Sequence, residues 1–397
     1  MKKTLIALAL TTLPVAAMAE VVLYGQMKAG YEVNSSKVTN WDRGPYLNGI
    51  TDYGSRIGVK GSEDLGNGLK AIWQVESRIH LGNNTNSRAK DTLANRDSFI
   101  GLQHDRFGTV RAGRISNAIN ANMDDVDAWE YGSDALGLGK FTRTDARYVG
   151  IAYNSPTWAG FDFSLLYSPR DNANGGDRYT EYNTNIGTGE KFSLGLNYKN
   201  SGFYVKYGYD FLKHSGDKLG CTYGNVVANN GCYLDTADHH EMKDGQVHRL
   251  EGGYDANNWF VGLGYQFTKN VSSYSQYVDY VYSRSVAHTG LEDHDVTIDN
   301  SGQEAALTVG YHFGNIFPKI SYAHGFNIKV NGTKVRNTKY DQIVLGADYS
   351  LSKRTTANVQ AGWLREGLGE DYIGNGQWES NGKLKTTAFG VGLKHVF

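Results

Sequence analysis

The last nine residues, Phe389-Gly390-Val391-Gly392-Leu393-Lys394-His395-Val396-Phe397, decide the fold class. Every second position runs Phe389, Val391, Leu393, His395, Phe397, with Gly390, Gly392 and Lys394 between them. This is the period-2 pattern of a strand with one apolar face, ending on an aromatic residue. Strands whose apolar face meets lipid in a transmembrane barrel have this character.

The beginning of the chain points the same way. Lys2 and Lys3 precede an apolar stretch from Leu5 to Ala17, broken only by Thr11, Thr12 and Pro14, and Ala17-Met18-Ala19 is a small-x-small cleavage site. Residues 1–19 are therefore expected to be a signal peptide, with the mature chain, 20–397, starting at Glu20. No later stretch holds the roughly 18 to 20 consecutive apolar residues of a transmembrane helix. An exported chain of this kind either stays soluble or crosses a membrane as a closed barrel.

Composition favours the barrel. The 397 residues include 49 Gly, 27 Tyr and only 5 Pro, and mean hydropathy is negative. A soluble chain of this length needs a larger aliphatic share for its core. A barrel with a wet lumen needs one apolar face per strand, and Tyr and Trp girdle its interfaces. The formal net charge of −1 and the lack of a basic arm argue against a nucleic-acid partner. Cys221 and Cys232 lie close together in a Gly/Asn-rich segment, and in an exported chain they are expected to form one disulfide pinning a surface loop. Their spacing is not CxxC, so no metal or redox centre is expected.

Alternation marks strands at Val21–Val33, Gly54–Ser62, Leu69–His80, Arg96–His104, Thr109–Arg114, Arg147–Asn154, Phe161–Ser168 and Lys191–Lys199. The second half adds Phe203–Phe211, Val247–Tyr254, Trp259–Phe267, Ala305–Phe313, Lys319–His324, Asp341–Tyr349, Thr355–Trp363 and Thr386–Phe397. The fold expected is all-β, a 16-stranded antiparallel transmembrane barrel, an even count as closure requires. Phe203, Val205, Tyr207, Tyr209 and Phe211 share one face, while Lys206, Gly208 and Asp210 share the other. Short connections such as Asp105–Gly108, Asn200–Gly202 and Asp255–Asn258 alternate with long Asn-, Asp-, Gly- and Ser-bearing ones. Short periplasmic turns and long extracellular loops are the pattern of outer-membrane barrels, whereas long structureless loops are rare in compact soluble domains.

These pieces resemble the general diffusion porins of Gram-negative bacteria, and the neisserial type most closely. Leu23-Tyr24-Gly25, Gly54-Ser55-Arg56-Ile57-Gly58-Val59-Lys60-Gly61 and the run from Glu63 to Glu76 carry the resemblance. So do Ser321-Tyr322-Ala323-His324-Gly325-Phe326, Ser352-Lys353-Arg354-Thr355, Ala361-Gly362-Trp363-Leu364 and Gly392-Leu393-Lys394-His395. The resemblance implies a homotrimer in the outer membrane, contact with outer-membrane lipid and lipopolysaccharide, and handling by the barrel-assembly machinery through the terminal strand ending in Phe397. It implies passive diffusion of ions and small hydrophilic solutes, without cofactor, and a third loop folded into the lumen.

The third loop falls at 115–145. Within it, Trp129-Glu130-Tyr131-Gly132-Ser133-Asp134 resembles the constriction-loop motif, which places Glu130 at the family's lumen acid and leaves Asp125 or Asp127 as the second. Arg56, Arg96 and Arg147 each resemble a member of the facing basic cluster. Alternation puts Ile57 and Val59 on the lipid face, so Arg56 and Lys60 point inward; Arg or Lys on the lipid face at the midplane costs roughly 2–4 kcal/mol. Arg96 precedes a strand whose outward residues read as Phe99 and Gly101, turning Arg96 inward. Lys70, Arg78 and Arg111 are further lumen candidates by the same parity.

An outer-membrane enzyme would need a nucleophile, base and orienting group converging on one rim. The histidines are scattered apart from His239-His240, and HExxH and GxSxG are absent. A substrate-specific channel would line its lumen with aromatics or a dense Lys ladder, but Tyr and Phe fall mostly on outward parity. A loop-mediated adhesive role is compatible with a pore.

Overall fold

In the computed structural model the residues described are 20–39, 43–82, 93–123, 125–129, 135–169, 189–213, 244–271, 299–330, 332–374, 377–380 and 382–397. Residues 1–19, expected to be a signal peptide, and Glu130, Cys221 and Cys232 lie outside them. Among the described residues sixteen strands form one closed antiparallel wall. The first is Glu20–Val38 and the second has two runs, Arg43–Asp52 and Arg56–Gly66. Then follow Leu69–Arg78, Ser98–His104, Gly108–Ser116, Arg147–Asn154, Phe161–Ser168, Lys191–Asn200 and Phe203–Leu212. Gly245–Ala256, Trp259–Lys269, Asn300–Tyr311, Ile316–Gly325, Tyr340–Ser350, Thr355–Gly367 and Lys383–Val396 complete the wall.

The terminal strand closes the barrel. Residues from Gln26 to Val38 pair with Val396 back to Leu384, while Glu20 to Gln26 pair with Ser62 back to Arg56. The amide of Phe397 donates to the Gly25 carbonyl at 3.1 Å, and Gly25 returns a bond to Phe397 at 3.0 Å. Among the described residues each strand of the wall has a partner on both sides, the condition for backbone to survive in hydrocarbon.

The first two strands run well past the sequence expectation of Val33 and Gly54. Polar Asn34-Ser35-Ser36-Lys37 looks like loop, but its backbone pairs with strand Lys383–Val396 and Ser36 Oγ meets Thr386 Oγ1 at 3.0 Å. The second strand breaks at Tyr53-Gly54-Ser55. There Asp52 Oδ1 accepts from the amides of Gly54 and Ser55 at 2.9 and 3.1 Å, and Gly54 takes φ +98°.

The wall is apolar outside and polar inside. Phe203, Val205, Leu250, Trp259 and Leu263 are exposed on the outer face, while their neighbours Asp210, Arg249, Glu251 and Gln266 are buried within. Tight connections sit on one rim. At Asn67-Gly68, Ser201-Gly202 and Asn257-Asn258 both residues have positive φ, the signature of type I′ hairpin turns, whose twist matches that of the flanking strands.

One correction concerns strand Ser98–His104. Its outward residues are Ile100 and Leu102, exposed by 67% and 49%, not Phe99 and Gly101. Phe99 faces the lumen, where the Arg111 guanidinium lies 4.9 Å above its ring. Arg96 still lines the lumen cavity because it precedes the strand, which begins at Ser98, and so is not bound by its alternation.

Candidate functional site

After Ser116 the chain enters the lumen as a short helix, Ala118–Asn122. Asn117 caps it by accepting from the Asn120 amide at 2.9 Å, the ordinary side-chain N-cap. The loop then crosses the inner wall from strand Lys191–Asn200 to strand Thr355–Gly367. Its apolar side chains Val126, Trp129, Leu136, Leu138 and Phe141 are buried against inward-facing Ala306, Ala323, Val344 and Leu364. Inward glycines make room: a Cβ on Gly362 would lie 1.6 Å from the Ala135 carbonyl oxygen, and one on Gly264 would lie 2.7 Å from the Phe141 ring.

Five wall side chains donate to five carbonyl oxygens of this loop. Thr308 Oγ1 bonds Val126, Lys319 Nζ bonds Ala128, Gln360 Nε2 bonds Leu136 at 2.5 Å, Gln342 Nε2 bonds Gly137 at 2.6 Å, and Arg249 Nη2 bonds Phe141 at 3.0 Å. Lys319 also pairs with Asp348 Oδ2 at 2.7 Å and lies 4.9 Å over the Trp129 ring, whose Nε1 donates to Ser321 Oγ at 2.8 Å. Each bond contributes about 0.5–1.5 kcal/mol net, and together they lay the loop flat against the wall between strand Gly245–Ala256 and strand Thr355–Gly367.

Among the described residues the loop's acids are engaged. Asp127 accepts from the amides of Trp129 and Leu138 at 3.3 and 3.1 Å, so it braces the loop's own backbone. Asp125 Oδ2 lies 2.5 Å from Lys206 Nζ on the wall.

The opposite wall is basic. Arg56, Arg96, Arg111 and Arg147 line one cavity of about 650 Å³ together with Glu76 and Asp97. Glu76 bridges two of them, Oε1 to Arg96 Nε at 2.5 Å and Oε2 to Arg56 Nε at 3.5 Å, and also accepts from Tyr24 at 3.1 Å. Asp97 Oδ1 holds Arg147 Nε at 2.7 Å and accepts from Ser116 Oγ at 2.8 Å. Arg111 Nη2 donates to Asn154 Oδ1 at 2.6 Å. Three of the four guanidinium groups thus pair with two carboxylates while Arg111 bonds an amide oxygen, and charge-assisted bonds fix the plane of each paired head group.

Lys60, Lys70 and Arg78 are not among the residues lining this cavity. Lys60 sits on the Arg56 strand with Nζ 5.2 Å over the Tyr24 ring. Lys70 lies beside the short turn after Gly66, and Arg78 is the register partner of Arg56 at the long-loop end of its strand. Glu76 and Asp97 carry no assignment from sequence. Their signal is present: Glu76 keeps the phase of Ile72 and Gln74 along one strand, and a cluster of arginines requires counter-charge nearby.

The profile of the Gram-negative porin family matches residues 19–397. The chain belongs to the Gram-negative porins. This porin is 44% identical over 408 residues to the major outer membrane protein P.IB of Neisseria sicca, and 38% identical over 400 residues to that of Neisseria meningitidis serogroup B, each match covering the whole of both chains. Its fold is similar to an anion-selective porin from Comamonas acidovorans, with TM-score 0.65 at 19% identity over 96% of this chain and 100% of that one. It is similar also to OmpF of Salmonella typhi in complex with daunomycin, with TM-score 0.58 at 18% identity over 96% and 98% of the two chains. The porin is an outer-membrane channel for passive diffusion of small hydrophilic solutes.

Proposed function

We propose that this porin filters solutes at an eyelet between the Arg56, Arg96, Arg111 and Arg147 wall and the inward loop, and that it passes small anions in preference to cations. The observation that carries this reading is the excess of four guanidinium groups over two carboxylates in the described lining of that cavity. Asp125 and Asp127 of the loop are already bonded to Lys206 and to backbone amides.

The preference is graded. At about 10 Å a charge pair in water interacts by only about 0.4 kcal/mol, several times more beside a low-dielectric wall. Salt of physiological strength screens beyond roughly 8 Å. Several arginines acting together raise the local anion concentration without excluding cations, and no covalent step occurs. Glu130 completes the eyelet in this reading, a leader at 1–19 is cleaved, a Cys221–Cys232 bridge pins a loop of the mature chain, and outer-membrane lipid and lipopolysaccharide surround it. The barrel-assembly machinery reads the strand ending in Phe397. Three copies assemble, as in OmpT of Vibrio cholerae, known in a trimer form.

Reversal potentials across planar bilayers in a salt gradient test this. The wild type should favour chloride over potassium, Arg96→Ala should reduce that ratio and Glu130→Gln should raise it. A wild type with no anion preference, or identical potentials in all three proteins, overturns the eyelet. A conductance that saturates with one solute at low concentration favours a substrate-specific channel instead.

A further inference from the structure

The neck of the lumen loop is strung between two carboxylates. Ser116 and Arg147 are register partners where the chain leaves the wall and where it returns. Both go to Asp97, Ser116 Oγ donating at 2.8 Å and Arg147 Nε at 2.7 Å. The next residue on each limb goes to Asp210, on strand Phe203–Leu212. Asn117 Nδ2 donates to Asp210 Oδ2 at 2.5 Å, and Tyr148 Oη donates to the same oxygen at 3.0 Å. Asp210 Oδ1 accepts from Ser193 Oγ, which in turn accepts from the Ala118 amide at 2.8 Å. Asn117 also ties the two limbs together. Its amide donates to the Ala146 carbonyl at 2.9 Å, and its Oδ1 accepts from the Ala146 amide at 3.2 Å. Ala146 immediately precedes Arg147, so a shift of Asn117 reaches Arg147 through one peptide.

The two carboxylates differ in what they meet. Asp97 lines the lumen cavity, whereas Asp210 does not and has no exposed surface. A buried carboxylate is costly unless hydrogen bonds satisfy it. Among the described residues those bonds come from one amide and two hydroxyls. An amide in place of Asp210 would turn an N–H toward one of these three donors. The clamp accounts for the aim of Arg147, which departs from the alternation of exposed Val149 and Ile151. Tyr148 is held behind the neck on Asp210, and the neighbouring Arg147 is turned forward onto Asp97.

We infer that Asp210 is a positioning residue for ion preference: it fixes the neck of the loop so that Arg147 projects onto Asp97 and into the pore, without itself meeting a solute. This inference rests on the reading of the arginine wall as the eyelet and deepens it. It also makes a prediction of unexpected sign. Removing a negative charge raises a pore's preference for anions, so neutralising Asp210 acts in that direction through charge alone. Acting through Arg147, the same substitution lowers the preference, because the guanidinium leaves the eyelet.

Reversal potentials and cysteine labelling of the full-length mature porin test this. Asp210→Asn should lower the chloride-to-potassium permeability ratio about twofold, the fold-change that one charge at about 10 Å in water is worth. In an Arg147→Gln background it should add no further loss. Asn117→Asp combined with Asp210→Asn exchanges donor and acceptor across the neck and should return the ratio to that of the wild type. Ser193→Ala removes a single donor and should shift the ratio the same way by less, so the answer does not hang on the folding of Asp210→Asn. With Cys221 and Cys232 replaced by Ser, Arg147→Cys should react with a membrane-impermeant methanethiosulfonate in the lumen, and adding Asp210→Asn should slow that reaction. A ratio that rises or stays unchanged in Asp210→Asn and Ser193→Ala, while Arg147→Gln lowers it, overturns the positioning role and leaves the eyelet standing. An unchanged ratio in Arg147→Gln sinks the eyelet reading instead, and the labelling then decides: equal rates with and without Asp210→Asn overturn the clamp. A loss that adds to that of Arg147→Gln, or that the exchanged pair does not recover, overturns it as well.

Discussion

Arg249 donates from Nη2 to the carbonyl oxygen of Phe141 at 3.0 Å, and its guanidinium has no exposed surface. The same head group donates to Gln266 Oε1 at 2.9 Å and Thr144 Oγ1 at 3.0 Å, with Asp145 Oδ1 at 3.4 Å and Glu251 Oε1 at 3.9 Å. One wall residue thus ties the return limb of the lumen loop to the barrel. Burying a guanidinium is tolerable only with its hydrogen bonds and charge satisfied, and here both loop and wall supply partners.

Arg249→Met should therefore destabilise the porin more than its size suggests. Removing one member of a buried, hydrogen-bonded charge cluster costs about 3–5 kcal/mol, because Glu251 and Asp145 lose their counter-charge. Urea unfolding in detergent micelles measures it. A shift equal to that of an exposed control such as Lys353→Met would show that the cluster contributes nothing to holding the loop.

Gly362→Val tests the seat of the loop tip. A Cβ at this position meets the Ala135 carbonyl oxygen at 1.6 Å, and no rotamer relieves a backbone clash. The tip must lift from the wall into the lumen, so single-channel conductance should fall while the barrel still resists detergent at room temperature. Unchanged conductance would mean that the loop relaxes along the wall instead of across the pore.

Arg147→Gln, like Arg96→Gln, removes one of the four lumen guanidinium groups and should lower the chloride-to-potassium permeability ratio. The loss should grow as salt falls, because the screening length rises from roughly 3 Å at 1 M to roughly 30 Å at 0.01 M. Reversal potentials at the two mean salt concentrations check this. Equal shifts at both would point to a change of pore size rather than of charge.

Leu263→Arg probes the lipid face. Leu263 is 56% exposed in the middle of strand Trp259–Lys269, and a cation there should cost roughly 2–4 kcal/mol of barrel stability in phospholipid vesicles. The inward neighbour Gln266→Lys is not an equivalent control, since Gln266 serves Arg249 and Thr144. Gln103→Lys, at the lumen cavity, is the control and should be tolerated. Equal stability of Leu263→Arg and wild type would contradict the lipid-facing assignment.

Most of the wall was legible residue by residue. All sixteen strands of the wall overlap the segments marked by alternation, and Gly245–Ala256 and Trp259–Lys269 needed only their ends adjusted. Strand phase was legible where a strand has several clear outward residues, as in Phe203–Leu212. It failed at Ser98–His104, where Phe99 turns inward onto Arg111. Arg147 is instructive: it shares the parity of outward Val149 and Ile151, yet it lines the lumen. At the strand end, its bond to Asp97 outweighs the alternation that governs the strand interior.

What the amino-acid order determined by itself is everything that depends on near neighbours. Alternation sets which face of each strand is apolar, and paired positive-φ residues set the tight turns. A terminal strand such as Phe389–Phe397 has no soluble counterpart without a second apolar face to cover it. What only the tertiary structure decided is which inward residues meet. Gln360 finds Leu136 across 224 positions and Trp129 finds Ser321 across 192, contacts that exist because closing the sheet brings distant strands around one lumen. Arg56 and Arg96 share Glu76, Arg147 meets Asp97, and Arg249 takes the loop's carbonyl, for the same reason. Local propensity acts within a few residues, whereas the lumen is assembled by pairings whose partners no short window of sequence contains.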